Sequence, residues 1–151
     1  MAGLFSKRQN DELIELATFY IGEALCGMDI LNVQEINKLM NMTYVPQAPT
    51  YVNGILNLRG QIVTIIDLGK KLGLSSTVKG NECRNIIVNS RGEYIGLLVD
   101  KISDVVKAYR NKLEPPPANI GGVHGRFFES VFKTDISLIG VIDIEEVLKA
   151  E

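Results

Sequence analysis

The side chains best equipped for chemistry are few, and Arg59 is the most conspicuous. It stands with Gly60 between two apolar runs in "YVNGILNLRGQIVTIIDLGKKLGL", residues 51–74. A guanidinium offers five N–H donors in a planar fork, a shape that matches a carboxylate. Residue chemistry leaves two readings. Arg59 is a solvated turn arginine, as most arginines are, or its fork is held by a carboxylate such as Glu35 and presents a fixed charged surface to another protein.

The remaining candidates point away from catalysis. The chain has one histidine, His124, inside the glycine-rich "IGGVHGR", where it reads as an exposed loop residue. A zinc site wants several nitrogen or sulfur ligands at close spacing, and a serine or cysteine nucleophile would have only this histidine as its base. Neither a G-x-S-x-G elbow nor a phosphate loop ending in Gly-Lys-Ser/Thr is present. Cys26 and Cys83 lie far apart and outside any C-x-x-C pair, so both read as small buried hydrophobes. Asp100 and Asp104 read as part of a solvated face, and Asp67 and Asp143 as caps of short helices. Glu146 would complete an Asp-x-x-Glu capping box with Asp143.

Positioning these residues falls mostly to strands. "ELATFYI" (15–21) and "EALCGM" (23–28) flank Gly22 and read as a hairpin. "NIIVN" (85–89) and "YIGLLV" (94–99) flank "SRGE", whose glycine suits a turn. "GILNL" and "QIVTII" flank Arg59-Gly60 in the same way, which places the arginine at a third hairpin turn. Short strands at even spacing predict sandwich or barrel packing. The best helical pattern is "DILNVQEINKLM" (29–40), where Ile30, Val33, Ile36 and Met40 recur at three and four, leaving Asn32, Glu35 and Lys38 on a polar face. Pro46 and Pro49 end it with an extended connection.

Two segments echo each other without gaps: "VTIIDLGKKL" (63–72) and "IGVIDIEEVL" (139–148). The echo suggests two similar half-structures. "LSSTVKGNE" (74–82) and "LEPPPANIGGVHG" (113–125) are the polar or Pro/Gly-rich connections, and the second is long enough to be mobile or functional.

A chain of 151 residues with 46% hydrophobic and 23% charged residues belongs to the ordinary globular class and suits one domain with a real core. Sixteen basic against eighteen acidic residues give a net charge of -2, which lacks the electrostatic footprint of a nucleic-acid binder. No apolar run reaches membrane-spanning length, and "MAGLFSKRQNDELIEL" lacks the pattern of a secretory signal. The expectation is a cytosolic protein without membrane insertion, in a compartment where disulfides are rare.

Residues 12–149 resemble the CheW-like family of chemotaxis coupling proteins. The resemblance is carried by "ELATFYIGEALCGMDILNVQEI", by the long signature "VPQAPTYVNGILNLRGQIVTIIDL", by "GLLVDKISDVV" and by "LIGVIDIEEVL". It implies a mainly β fold of two intertwined five-stranded SH3-like barrels that share a hydrophobic core, with a few short helices. Residues 1–11 would be a flexible N-terminus and 12–151 a single domain of two barrel subdomains. It further implies a scaffold with no cofactor and no enzymatic activity. The family joins the regulatory domain of the histidine kinase CheA to the cytoplasmic tip of transmembrane chemoreceptors, so the protein would be cytoplasmic and recruited to receptor arrays.

Carried over by position, the partner-binding residues implied are Val33, Glu35, Asn57, Leu58, Arg59, Gly60 and Gly96, with Glu35 and Arg59 expected to pair. Gly96 also has a plainer reading as a point of barrel curvature. The chain departs from the family at "KLEPPPANIGG", where Glu114 and Asn119 stand at positions that often hold an arginine and a phenylalanine for a second contact with the kinase or another coupling protein. A CheW-like adaptor of a surface-motility or other two-component pathway is the neighbouring alternative; a small enzyme with an unrecognised site is the distant one.

Overall fold

The computed structural model describes residues 12–74 and 80–149. The expected flexible N-terminus, residues 1–11, and the middle of the 74–82 connection lie outside the described residues. Among these residues, twelve strands, two short α-helices and three single 3-10 turns follow one another. β1 (Leu13–Ile21) and β2 (Ala24–Asp29) form the first hairpin, and a 3-10 turn, Ile30–Asn32, leads into β3 (Val33–Lys38). β4 (Val52–Leu58), β5 (Gln61–Asp67) and helix α1 (Leu68–Lys71) precede the hairpin of β6 (Arg84–Ser90) and β7 (Glu93–Val99). β8 (Lys101–Tyr109), the two-residue strands β9 (Asn119–Ile120) and β10 (Val123–His124), β11 (Phe128–Lys133), β12 (Leu138–Ile142) and helix α2 (Ile144–Val147) complete the chain.

All three expected hairpins form. The helix expected over 29–40 does not: its start is the 3-10 turn capped by the Asp29 side chain, and its remainder is β3, paired antiparallel with β6. The spacing of Ile30, Val33, Ile36 and Met40 misled, because Ile36 and Met40 are exposed rather than buried. Ladder pairing of "VQEINK" along a largely buried β6 outweighs what a marginal helical stripe could bury.

The strands form two five-stranded sheets, ordered β3-β6-β7-β5-β4 (barrel B) and β8-β1-β2-β12-β11 (barrel A). Each contains one parallel pair, β5 with β7 and β12 with β2. Isolated bridges, Thr43 to Ile55 and Glu114 to Val131, bring the chain beyond one edge strand against the opposite edge in each. The two orders correspond strand for strand, with α1 following β5 as α2 follows β12. The echo of 63–72 in 139–148 is therefore structural.

Period-two alternation on curved strands serves two cores at once. Inside barrel B lie Val63, Ile65, Ile87 and Leu98; inside barrel A lie Leu16, Ile139 and Val141. The outward faces of the same strands meet in a third, larger cluster between the barrels, with Phe19, Met28, Ile86, Val88, Leu97 and Phe127 among its members. Asp67 and Asp143 cap α1 and α2 as expected, accepting from the N–H groups of Lys70 at 3.2 Å and Glu146 at 3.1 Å. The reciprocal half of the capping box is absent: the Asp143 N–H donates to the Phe127 carbonyl, and Glu146 pairs with Lys149 instead.

Candidate functional site

The β4–β5 turn is a two-residue hairpin loop in which both central residues have positive φ, Arg59 at 51° and Gly60 at 84°. That geometry is the type I′ turn, whose twist matches that of the flanking strands. The Gly60 N–H donates to Asn57 Oδ1 at 3.0 Å, so Asn57 fixes the turn that carries Arg59. The Arg59 guanidinium is ion-paired with the Glu35 carboxylate.

Glu35 reaches this place because of a bulge. β3 pairs Val33 with Val88 and Glu35 with Ile87, two residues against one step of β6. Without the bulge Val33 and Glu35 would share a face. With it, Val33 packs on the core between the barrels while Glu35 turns to the mouth of barrel B. Since β3 and β4 are the two edges of that sheet, the Glu35–Arg59 pair spans the seam and fastens the mouth. Arg59 remains 74% exposed and Glu35 27%.

Between them opens a cavity of about 240 Å³. Its rim is polar, with Gln34 and Gln61 beside the ion pair, and its floor is Val63, Ile87 and Tyr94. Gly96 lies beneath that floor and is buried. A Cβ there would overlap the Ile65 Cδ1 methyl and lie 3.2 Å from that of Ile87, so the glycine makes room for the side chains that fill the barrel. Gly27 stands at the matching place in barrel A, facing Val141 as Gly96 faces Ile65.

Of the expected site residues, then, Glu35, Asn57, Leu58, Arg59 and Gly60 meet at one mouth, whereas Val33 faces the junction and Gly96 the interior. Glu114 is ion-paired with Lys133 at 3.8 Å and bridged to Val131; Asn119 accepts from the Gly122 N–H at 3.0 Å. Glu114 thus helps close barrel A, whereas Asn119 fixes the turn of the separate β9–β10 hairpin. His124 is exposed, and its Nδ1 accepts from the Arg126 N–H. Cys26 and Cys83 are both buried thiols, and burial pushes Cys26 up to about 12. Asp100 accepts from the Gly22 N–H at 2.6 Å and latches the first hairpin. Glu129 titrates above its ordinary value because of lost hydration and then the negative charges of Asp143 and Asp29, against the pull of Arg110. Among the described residues no group of His, Cys, Asp or Glu could hold a metal ion, and no helix is long and apolar enough to cross a membrane.

Two features were missed in the sequence. Asn57–Gly60, Asn89–Gly92 and Asn119–Gly122 are the same device, an asparagine accepting from a glycine N–H three residues on; the repeated Asn-x-x-Gly spacing was the available signal. Leu13, Val105 and Tyr109 are each about half exposed on one face of the β1–β8 pair, with Glu15 opposite Lys107 between them. No periodicity marks them, because the same alternation buries Phe19 farther along.

The model of the CheW-like domain matches residues 15–151. The chain belongs to the CheW-like domain family. Chemotaxis protein CheW of Treponema pallidum (strain Nichols) is 34% identical over 146 residues, 94% of this chain and 86% of its own length. The crystal structure of scaffolding protein TtCheW from Thermoanaerobacter tengcongensis matches with a TM-score of 0.84 at 34% identity, covering 92% of this chain and 90% of that one. Protein FrzA of Myxococcus xanthus is 26% identical over 109 residues, 72% of this chain and 66% of its own. In this CheW-like domain the described residues build a mainly β architecture with few, short helices.

Proposed function

We propose that this CheW-like domain is a non-enzymatic chemotaxis adaptor that binds the regulatory domain of a CheA-type histidine kinase and the cytoplasmic tip of chemoreceptors, as a cytoplasmic protein recruited to receptor arrays. The observation that carries the reading is the Glu35–Arg59 pair at the mouth of barrel B, held by a bulge and an asparagine-fixed turn beside an apolar-floored cavity. A charge fixed in this way loses little side-chain entropy when a partner docks. Asn57, Leu58 and Gly60 build that surface, Gly96 supports its floor, and Val33 contributes from the junction. An adaptor transmits a signal only by binding its partners differently in their different states, which requires neither a catalytic group nor a cofactor.

The test is calorimetric titration with the regulatory domain of the CheA-type kinase from the same organism, repeated with Arg59→Ala and Glu35→Ala. The expected result is saturable binding, weakened about tenfold and equally in both variants, a loss of about 1.4 kcal/mol. Failure to bind that domain overturns the kinase half of the reading. An adaptor of a related surface-motility or other two-component pathway is the second reading, with which the similarity to protein FrzA is compatible; binding to a kinase of such a pathway in preference would select it.

A further inference from the structure

The interior of barrel B contains one layer that is not apolar. Side chains alternate along β6, so Asn85 shares with Cys83 and Ile87 the face that lines the barrel, and Leu98 of β7 stands opposite it on that face. Past the bulge in β3, Asn37 follows Glu35 on the same side and is directly opposite Asn85. Two asparagines therefore meet among Ile65, Ile87 and Leu98.

Asn85 is fully buried. Its Oδ1 and Nδ2 are enclosed with no hydrogen-bond partner among the described residues, and so is Asn37 Nδ2. β6 is paired on both sides, with β3 and with β7, so its main-chain groups are committed to the two ladders. The nearest polar side chains on this face are engaged as well: Glu35 with Arg59, and Cys83 Sγ with the Gly80 N–H at 3.3 Å. A buried amide without a partner forfeits the hydrogen bonds it had in water. Protein interiors meet that demand with internal waters, each making about three hydrogen bonds.

The three atoms suit such a guest. Both Nδ2 groups donate and Asn85 Oδ1 accepts, while a water can do both. Directly opposite residues hold their Cβ atoms about 4.5–5.5 Å apart, so one water reaches both amides. We propose that barrel B encloses a structural water between Asn37 and Asn85, which accepts from the two Nδ2 groups and donates to Asn85 Oδ1. It ties β3, the strand that carries Glu35, to β6 from inside the barrel. The site is independent of which partners the protein binds.

A crystal structure of the whole chain, at a resolution that shows ordered waters, tests the site together with water-to-amide cross-relaxation in solution NMR. One ordered water is expected within hydrogen-bond distance of the three atoms, with cross-peaks from a long-lived water to the side-chain amides of Asn37 and Asn85. Chemical denaturation gives a second reading. Asn85→Leu removes two of the three groups and leaves Asn37 Nδ2 enclosed alone, whereas Asn37→Leu/Asn85→Leu removes all three. The single variant should fold with an equilibrium constant about tenfold below that of the double variant, and neither should keep the cross-peaks. Should the double variant not fold, the natural chain's structure and spectrum decide. The site is rejected if no water lies there, if the two amides bond each other directly, or if adding Asn37→Leu to Asn85→Leu restores no stability.

Discussion

Arg59 occupies a backbone conformation that costs an L-residue about 1 kcal/mol and costs glycine almost nothing. Its exposed ion pair returns only about 0–1 kcal/mol, so the arginine is not explained by stability. Arg59→Gly should accordingly be about 1 kcal/mol more stable than Arg59→Ala in chemical denaturation, while both weaken kinase binding alike; equal stabilities would mean that the turn is unstrained. Cys26 gives a second residue-scale prediction. Its fold favours the neutral thiol, with a pKa raised from 9.0 to about 12. The unfolded chain then releases this proton first, so stability falls as pH rises from about 9 toward 12 and is unaffected below 9. Relative to Cys26→Ala, the natural chain should lose stability over that window, and a pH-independent difference would refute the burial effect. The pairing of Arg59 with Glu35 was legible as one of two chemical options; the left-handed turn and the bulge that make it possible were not.

At the level of elements, Gly96 shows how a plain packing role can underlie an expected contact. Gly96→Ala should cost about 1–3 kcal/mol, the usual size of overpacking, because its methyl meets Ile65. Adding Ile65→Val, which removes the opposing Cδ1 methyl, should recover part of that loss as a non-additive coupling. If Gly96→Ala instead keeps its denaturation midpoint and loses kinase binding, a partner reaches the strand there. The misread element was β3. Ile30, Val33, Ile36 and Met40, two of which lie in β3, fit a helical stripe by count, yet the hydrogen-bonding edge that β6 offers is invisible in a local window. The hairpins were readable because turn residues such as Arg91-Gly92, at 52° and 83°, announce themselves by type.

For the whole molecule, the strand correspondence makes barrel A a circular permutation of barrel B: the order β3, β4, β5, β6, β7 in one is β8, β11, β12, β1, β2 in the other. A chain with residue 151 joined to residue 1 and new ends opened within 75–79 should therefore fold to the same strand content by circular dichroism and keep its kinase affinity. An unfolded or non-binding permutant would show that the strand order itself is needed. The sequence by itself determined the β class, the three hairpins, the capping aspartates and the internal echo, since each rests on alternation, turn chemistry or spacing within about a dozen residues. Only the tertiary structure decided that β3 is a strand, that Glu35 and Val33 face different ways and that Gly96 is buried. Those outcomes depend on partners brought together from distant parts of the chain, where one register shift reverses every side chain beyond it.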